Sequence, residues 1–428
     1  MQAGSQEANE SHQLLLRCAP LRLKSWLSGK ELSRDYWIFF LAALCFDFGI
    51  AMYMFLYNLF LLDIGFNERQ LGLVAGAMML GGVVATIPMG LIAKRIGLRR
   101  VLLAGFILTP FLFALRTIVA GERTQIGLAF LAGMSLCYWA VCFAPSAAKL
   151  TTEKNRPFAF SLLLSVGIGT GGVAGLVGGF LPGRLQALSS SMQPADAKRV
   201  VLLLCCAIAA VGAWPVSRLR VQVERVTQSK PWNVDPFLFR FLPAMAMWSL
   251  AAGAFTPFAT AYFSRYVRIP LAHIGVIFSA SQLTQVAAVL MAPAVFRRFG
   301  LVAGITYMQI VTAIALVMLA RSHSVPLIVV FYLSFSAFHW MGGPGIYSLL
   351  MNRVAEGERS NASAANSLVT SLCQAVASAV AGAAYVDFGY PAVLMAIAAV
   401  ALFAALLFWM LLRDTHHGNV VETAPMKS

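Results

Sequence analysis

The sequence predicts an all-α membrane protein with twelve transmembrane helices in two pseudo-symmetric six-helix halves, both termini cytoplasmic. Three observations carry that prediction. Of 428 residues, 59% are hydrophobic and only 11% charged, against about 25% charged in a soluble domain, so the apolar surface exceeds what one water-facing core hides. The apolar residues gather into windows of roughly 20, each long enough to cross a hydrocarbon layer of about 30 Å as a helix; none alternates as a membrane-barrel strand would. Finally, Gly72 and Gly275, Arg95 and Arg298, Gly97 and Gly300, Glu153 and Glu356, and Arg156 and Arg359 all stand one constant step apart, 203 positions, which marks a duplicated half.

The apolar windows place helices near 36–61, 71–93, 100–120, 125–148, 158–181 and 200–217. A second set lies near 238–264, 271–294, 301–320, 325–350, 362–386 and 391–412. Residues 1–35 then form a cytoplasmic N-terminal segment, 36–217 the first half, 218–237 a cytoplasmic linker, 238–412 the second half and 413–428 a cytoplasmic tail. The linker holds Arg218, Arg220, Arg225 and Lys230 in the longest polar stretch inside the chain. The first 35 residues are mostly polar and do not read as a cleavable leader. Within them, Leu14 to Leu27 reads equally as a surface-lying basic helix and as an unstructured leader interrupted at Pro20.

The net charge of +15 does not point to nucleic acid, because the Lys and Arg residues sit in short turns between apolar runs. Most of them fall on the side that also receives both termini, and that asymmetry fixes the orientation. The turn Gly90-Leu-Ile-Ala-Lys-Arg-Ile-Gly-Leu-Arg-Arg100 is the sharpest case and is cytoplasmic on this count. Six of the seven cysteines lie inside predicted spans and only Cys18 outside, so they serve as small apolar residues. No Cys/His spacing suits a metal, and no nucleophile or phosphate loop suits an enzyme. Cofactors and metals are not expected.

At that basic turn the chain resembles the major facilitator superfamily, whose signature between helices two and three runs Gly-x-x-x-Asp-Arg-x-Gly-Arg-Arg. The matching residues are Gly90, Arg95, Gly97, Arg99 and Arg100, with a worn second copy in Arg297, Arg298 and Gly300. The resemblance covers essentially the whole chain. It implies a secondary transporter in which this turn latches the halves on the cytoplasmic side, beside the start of helix eleven around Asn361. Lys94 stands where the family carries its aspartate. It reverses that charge, so the gating role implied for Gly90, Lys94, Arg95, Gly97, Arg99 and Arg100 extends to Glu153, Arg156, Glu356 and Arg359 as alternative latch residues.

On helix five, Gly167, Gly171, Gly175 and Gly179 recur every four residues and line one face, a spacing that lets a second helix approach closely in a membrane. The stretch Ala174-Gly-Leu-Val-Gly-Gly also resembles the family's antiporter signature, Gly-Pro-x-x-Gly-Gly, without its proline. Against a multidrug antiporter, the arginine that such members carry four residues before a helix-four glycine is Ala129 here, before Gly133.

A charge inside a span costs about 2.5–3.5 kcal/mol on insertion scales, so Asp47 in the first helix asks for a reason. It lies about 11 residues, roughly 17 Å, from the predicted helix start, and His339 lies at similar depth in helix ten. The resemblance implies that helices one, four, seven and ten line a central cavity, which both groups would share. Carboxylates and imidazoles are the side chains suited to taking up and releasing a proton during transport. The expected roles are proton coupling for Asp47 and a secondary proton or substrate group for His339; the alternatives are a structural hydrogen bond and a packed histidine. Candidate cavity residues are Tyr53, Tyr57, Asn58, Tyr138, Trp139, Trp248 and Trp340, with Gln282 and Gln285 on helix eight. Arg116 is expected to snorkel to the interface, which leaves no cationic clamp for phosphate or carboxylate substrates.

The expectation is therefore a monomeric carrier in the plasma (inner) membrane that moves a small organic solute by alternating access and is coupled to protons. It leans to export of amphipathic or cationic molecules. Sugar or metabolite uptake is the alternative, and a transport-inactive sensor or scaffold comes third.

Overall fold

The structure, a computed structural model, describes residues 32–152, 155–189, 191–219, 236–355 and 358–413. Those residues are almost wholly helical, and eleven of the helices are long and apolar enough to span a membrane. They are α1 (Arg34–Asp63), α2 (Glu68–Ile96), α3 (Leu98–Ile118), α4 (Glu122–Lys149), α5 (Arg156–Leu188), α6 (Pro194–Val211), α7 (Pro236–Phe255), α8 (Leu271–Phe299), α9 (Leu301–Arg321), α10 (Val325–Arg353) and α11 (Arg359–Leu412). The N-terminal stretch and most of the linker lie outside the described residues.

Local chemistry explains where the helices begin and end. The Ser33 hydroxyl accepts from the Tyr36 N–H and starts α1. Asn67 and Gln70 form a capping box that starts α2 three residues ahead of its apolar run. Gly97 stands between α2 and α3 at φ 89°, and its repeat partner Gly300 stands between α8 and α9 at φ 81°. Each makes a near one-residue turn in a backbone region that only glycine enters cheaply, so the basic turn is as tight as its sequence suggests. Gly389, at φ 76°, divides α11 into two helices that meet at a kink. After α7 the backbone runs through a 3₁₀ turn at Thr256–Phe258, then a π turn at Tyr262–Tyr266.

Helices α1–α6 pack among themselves, and so do α7–α11; the two sets meet where α2 lies on α11 and α5 on α8. Glycines make the closest approach of both seams. A Cβ on Gly72 would stand 3.0 Å from the Gly382 Cα, and one on Gly275 would stand 2.9 Å from the Gly179 Cα. Gly179 and Gly382 are themselves one repeat step apart, so the two seams are copies of a single contact. Replacing Gly72 or Gly275 with Val should prop open its seam, and the two variants should behave alike. Ser378, fully buried at the α2–α11 seam, reports this: as Ser378→Cys it should label faster with maleimide in both backgrounds.

Arg116 departs from expectation. It does not snorkel but is only 2% exposed, its guanidinium 4.4 Å from the centre of the Tyr57 ring. Beside it, the Gln125 amide donates to the carbonyls of Arg116 and Val119 and accepts from the Tyr57 hydroxyl at 2.5 Å, tying α4 to α1 and the end of α3. The aromatic face and surrounding helices shelter a cation that sequence alone assigned to the interface. Gln125→Leu should cost about 2–3 kcal/mol, from three lost hydrogen bonds and newly unpaired polar groups, read as a lower melting temperature in detergent.

Candidate functional site

Asp47 sits in the middle of α1, and the local packing explains how it is held there. Two residues on, roughly 200° around the helix, Gly49 lets α1 close on α6: a Cβ there would stand 2.6 Å from the Cys205 carbonyl oxygen. That contact turns Asp47 toward α4 and α5. The Trp139 side chain of α4 lies beside the Asp47 carboxylate, and Gly167 of α5 leaves room, since a Cβ there would stand 3.6 Å from Oδ2. Trp139 is in turn fixed by Phe46, Phe106 and Phe143, with ring centroids 5.0–5.6 Å away.

His339 of α10 stacks on Phe335, one turn back, at 5.6 Å and on Trp248 of α7 at 5.2 Å. The two sites mirror each other. Asp47 and Trp139 join α1 to α4, while Trp248 and His339 join α7 to α10, at positions within a turn of repeat equivalence. Each half thus pairs one titratable group with one tryptophan across its first and fourth helices, with the roles exchanged. The contacts of each pair stay inside its own half.

The remaining candidates divide. Tyr53 and Tyr57 are buried and spend their hydroxyls inside the first half, on the Phe113 carbonyl and on Gln125 respectively. Tyr138 is equally buried and packs on Phe46 and Phe106. These three tyrosines are core residues in this state rather than cavity walls, because α1, α3 and α4 close around them. Trp340 is 52% exposed and meets His339 edge-on. Gln285 donates to the Ser336 hydroxyl at 2.7 Å. Gln282 lies against Gly171 and Gly172, so it belongs to the α5–α8 seam. Gly175 and Gly179 face α8 on that same seam, whereas Gly167 faces Asp47.

Among the described residues, the basic turn makes its contacts within one half. The Arg99 guanidinium donates to the Ser217 carbonyl, and Arg156 donates to the Ala148 carbonyl at 3.4 Å. Arg95, Arg100 and Arg359 are exposed, Gly97 forms the turn, and nothing stands within 4 Å of where a Gly90 Cβ would be. Glu153 and Glu356 lie outside the described residues, as does the Lys94 side chain.

Polar contacts join the halves at the opposite end, through residues that, Asn58 apart, the sequence did not single out. Arg265, on the π turn after α7, donates to the Phe66 carbonyl at 2.9 Å and lies 3.5 Å from Glu68. The Tyr390 hydroxyl donates to the other Glu68 oxygen at 3.2 Å. Asn58 donates to the Pro257 carbonyl at 2.7 Å, so this candidate cavity residue bridges the two halves. Phe55 packs on Phe278 at 5.2 Å. Glu68 is 7% exposed, and the rings of Tyr262, Tyr266, Tyr385 and Tyr390 cluster beside it. These polar groups sit at helix ends far apart in sequence, where a charge reads as an ordinary interface residue. Arg265, closing an apolar run, was the one available signal.

Two duplicated helical bundles, joined at one end and each carrying a titratable group at mid-depth, define a membrane solute transporter rather than an enzyme. The sequence profile described as Major Facilitator Superfamily matches residues 39–239 and 237–425, and the chain belongs to that family. None of the curated proteins compared matches it by sequence. In fold it is similar to the nucleoside transporter NupG, with TM-score 0.72 and 13% identity over 89% of this chain and 99% of that one. It is similar also to a bacterial homologue of the iron transporter ferroportin in an inward-facing state, with TM-score 0.72 and 16% identity over 89% and 99%. A D-xylose-proton symporter matches with TM-score 0.68 and 15% identity over 88% and 97%.

Proposed function

We propose that the chain is a proton-coupled secondary transporter of small organic solutes, with twelve membrane crossings and both termini cytoplasmic, acting as a monomer by alternating access in the plasma membrane. The observation that carries this reading is Asp47. It is the one carboxylate among the described residues that sits far from a helix end, held by Trp139 in the half whose glycines meet the partner half. On this orientation the basic turns are cytoplasmic, so the Glu68–Arg265–Tyr390 cluster closes the outer end and the state is open inward. Likeness to a fold captured facing inward supports that assignment.

The aromatic side chains left partly or wholly exposed, Trp139 and Phe143 on the first half and Trp340 on the second, suit amphipathic or cationic solutes, which aromatic faces hold. Export of such compounds is the favoured direction, and symport of a hydrophilic solute is the alternative. Proton release from purified protein in detergent, on adding dyes, organic cations and sugars in turn, distinguishes them. Release with one ligand class that is lost in Asp47→Asn supports antiport of that class. Binding without release, unchanged in the mutant, removes Asp47 from coupling.

A further inference from the structure

The glycine stripe of α5 continues one step beyond the seam. Gly175 and Gly179 meet α8 closely, but Gly183, four residues on, has nothing within 4 Å of where its Cβ would stand. The seam parts there and leaves a cavity of about 480 Å³ between the end of α5, the start of α6 and the start of α8. Its walls thus come from both halves. The level is the membrane boundary, because Arg184 lies one turn from the end of α5, Lys198 one turn into α6, and Leu271 opens α8.

The lining combines two chemistries. Arg184 and Lys198 are cationic. Lys198 is already paired with Asp63 at 2.6 Å, whereas Arg184 is exposed and no carboxylate among the described residues neutralises it. Phe180, Pro182 and Leu271 supply apolar wall. Below the cavity, toward the membrane centre, exposed apolar side chains continue along both sides of the seam: Val173, Leu176 and Phe180 on α5, and Val276 and Leu283 on α8. An uncompensated guanidinium at headgroup level above two apolar tracks fits a phosphate with acyl chains attached, since arginine binds phosphate through paired N–H donors.

We propose that this cavity is a binding site for an anionic phospholipid, with the phosphate on Arg184 and Lys198 and the chains along the α5–α8 seam. Because α8 belongs to one half and α5 and α6 to the other, the lipid bridges the halves on the closed face.

The test is native mass spectrometry of the full chain in detergent, titrated with dioleoylphosphatidylglycerol, dioleoylphosphatidylcholine or inorganic phosphate. Wild type should retain one phosphatidylglycerol in clear preference to phosphatidylcholine, and millimolar phosphate should not displace it. Arg184→Gln should weaken retention roughly tenfold, the loss expected of one charge-assisted hydrogen bond. Gly183→Leu fills the cavity without touching a charge and should abolish the preference; melting temperature checks that both variants fold. Equal retention by wild type and both variants would overturn the site, and so would phosphate binding as tightly as the lipid. The readout is independent of transport, so its failure leaves the proton-coupled reading standing, and the reverse also holds.

Discussion

Asp47→Asn should abolish concentrative transport in proteoliposomes under a pH gradient while leaving solute counterflow close to wild type. Asparagine keeps the size of the side chain and an acceptor for Trp139, so the packing of α1 against α4, α5 and α6 survives. It loses only the ability to exchange a proton. A carrier stripped of coupling still equilibrates solute across the membrane but no longer accumulates it, and that split separates a coupling residue from a structural one. A structural Asp47 would reduce both activities together or neither. Full accumulation by Asp47→Asn under the same gradient would end the coupling role. His339→Gln provides the comparison: as a secondary group stacked between two aromatic rings, it should alter apparent solute affinity more than coupling.

Arg265→Met should shift the protein toward a state open at the Glu68 end, by about tenfold in the ratio of open to closed. Arg265 is 40% exposed on its side chain, so the ion pair itself contributes only about 0–1 kcal/mol. The larger effect comes from what remains, because Glu68 is buried and would keep only the Tyr390 hydroxyl. A buried charge left short of partners costs about 1–3 kcal/mol, and ~1.4 kcal/mol corresponds to tenfold. Glu68→Gln should do less, since the amide retains hydrogen-bonding capacity and leaves no uncompensated carboxylate. Distances between spin labels on the two halves, or the maleimide reactivity of Ser378→Cys in each background, measure the shift. Equal distributions in wild type and Arg265→Met would show that the cluster does not hold the end shut.

The sequence made the helices legible because each membrane crossing needs its own long apolar run, and most observed ends fall within a few residues of those runs; α5 and α8 run on to Leu188 and Phe299, α6 starts and ends early at Pro194 and Val211, and α7 stops at Phe255, where short turns take over. Polar caps explain the early starts: Ser33 and Asn67 lie outside the apolar window but own the first turn of their helices. The repeat was legible as well. Its step of 203 links Gly97 to Gly300, which make matching turns, and Gly72 to Gly275, which make matching seams. Two things were hidden. Arg116 looked terminal by count, and only the fold shows α4 wrapping Gln125 over it. The cluster between the halves joins Glu68 to Arg265 and Tyr390, residues far apart in the chain whose charges and rings are ordinary singly. Sequence periodicity places side chains on a face of their own helix but not opposite a helix from the other half. For the same reason it offered Tyr53, Tyr57 and Tyr138 to the cavity when the neighbouring helices had enclosed them.

The paired glycine seams have a mechanical consequence. Where Gly72 meets Gly382 and Gly179 meets Gly275, backbone touches backbone, so at those points no side chain must change rotamer or lose freedom when the surfaces part and meet again. Such a joint behaves as a bearing: it fixes the axis of motion without resisting rotation about it. Resistance then resides in the few polar contacts between the halves, those at the rim and the Ser279 hydroxyl on the Gly172 carbonyl, while cohesion resides in the interior of each half. Switching rate and thermal durability are therefore set by different residues. A substitution at Glu68 or Arg265 should retime the motion with little change in melting, and one at Gln125 should lower melting while leaving the balance of states nearly as it was.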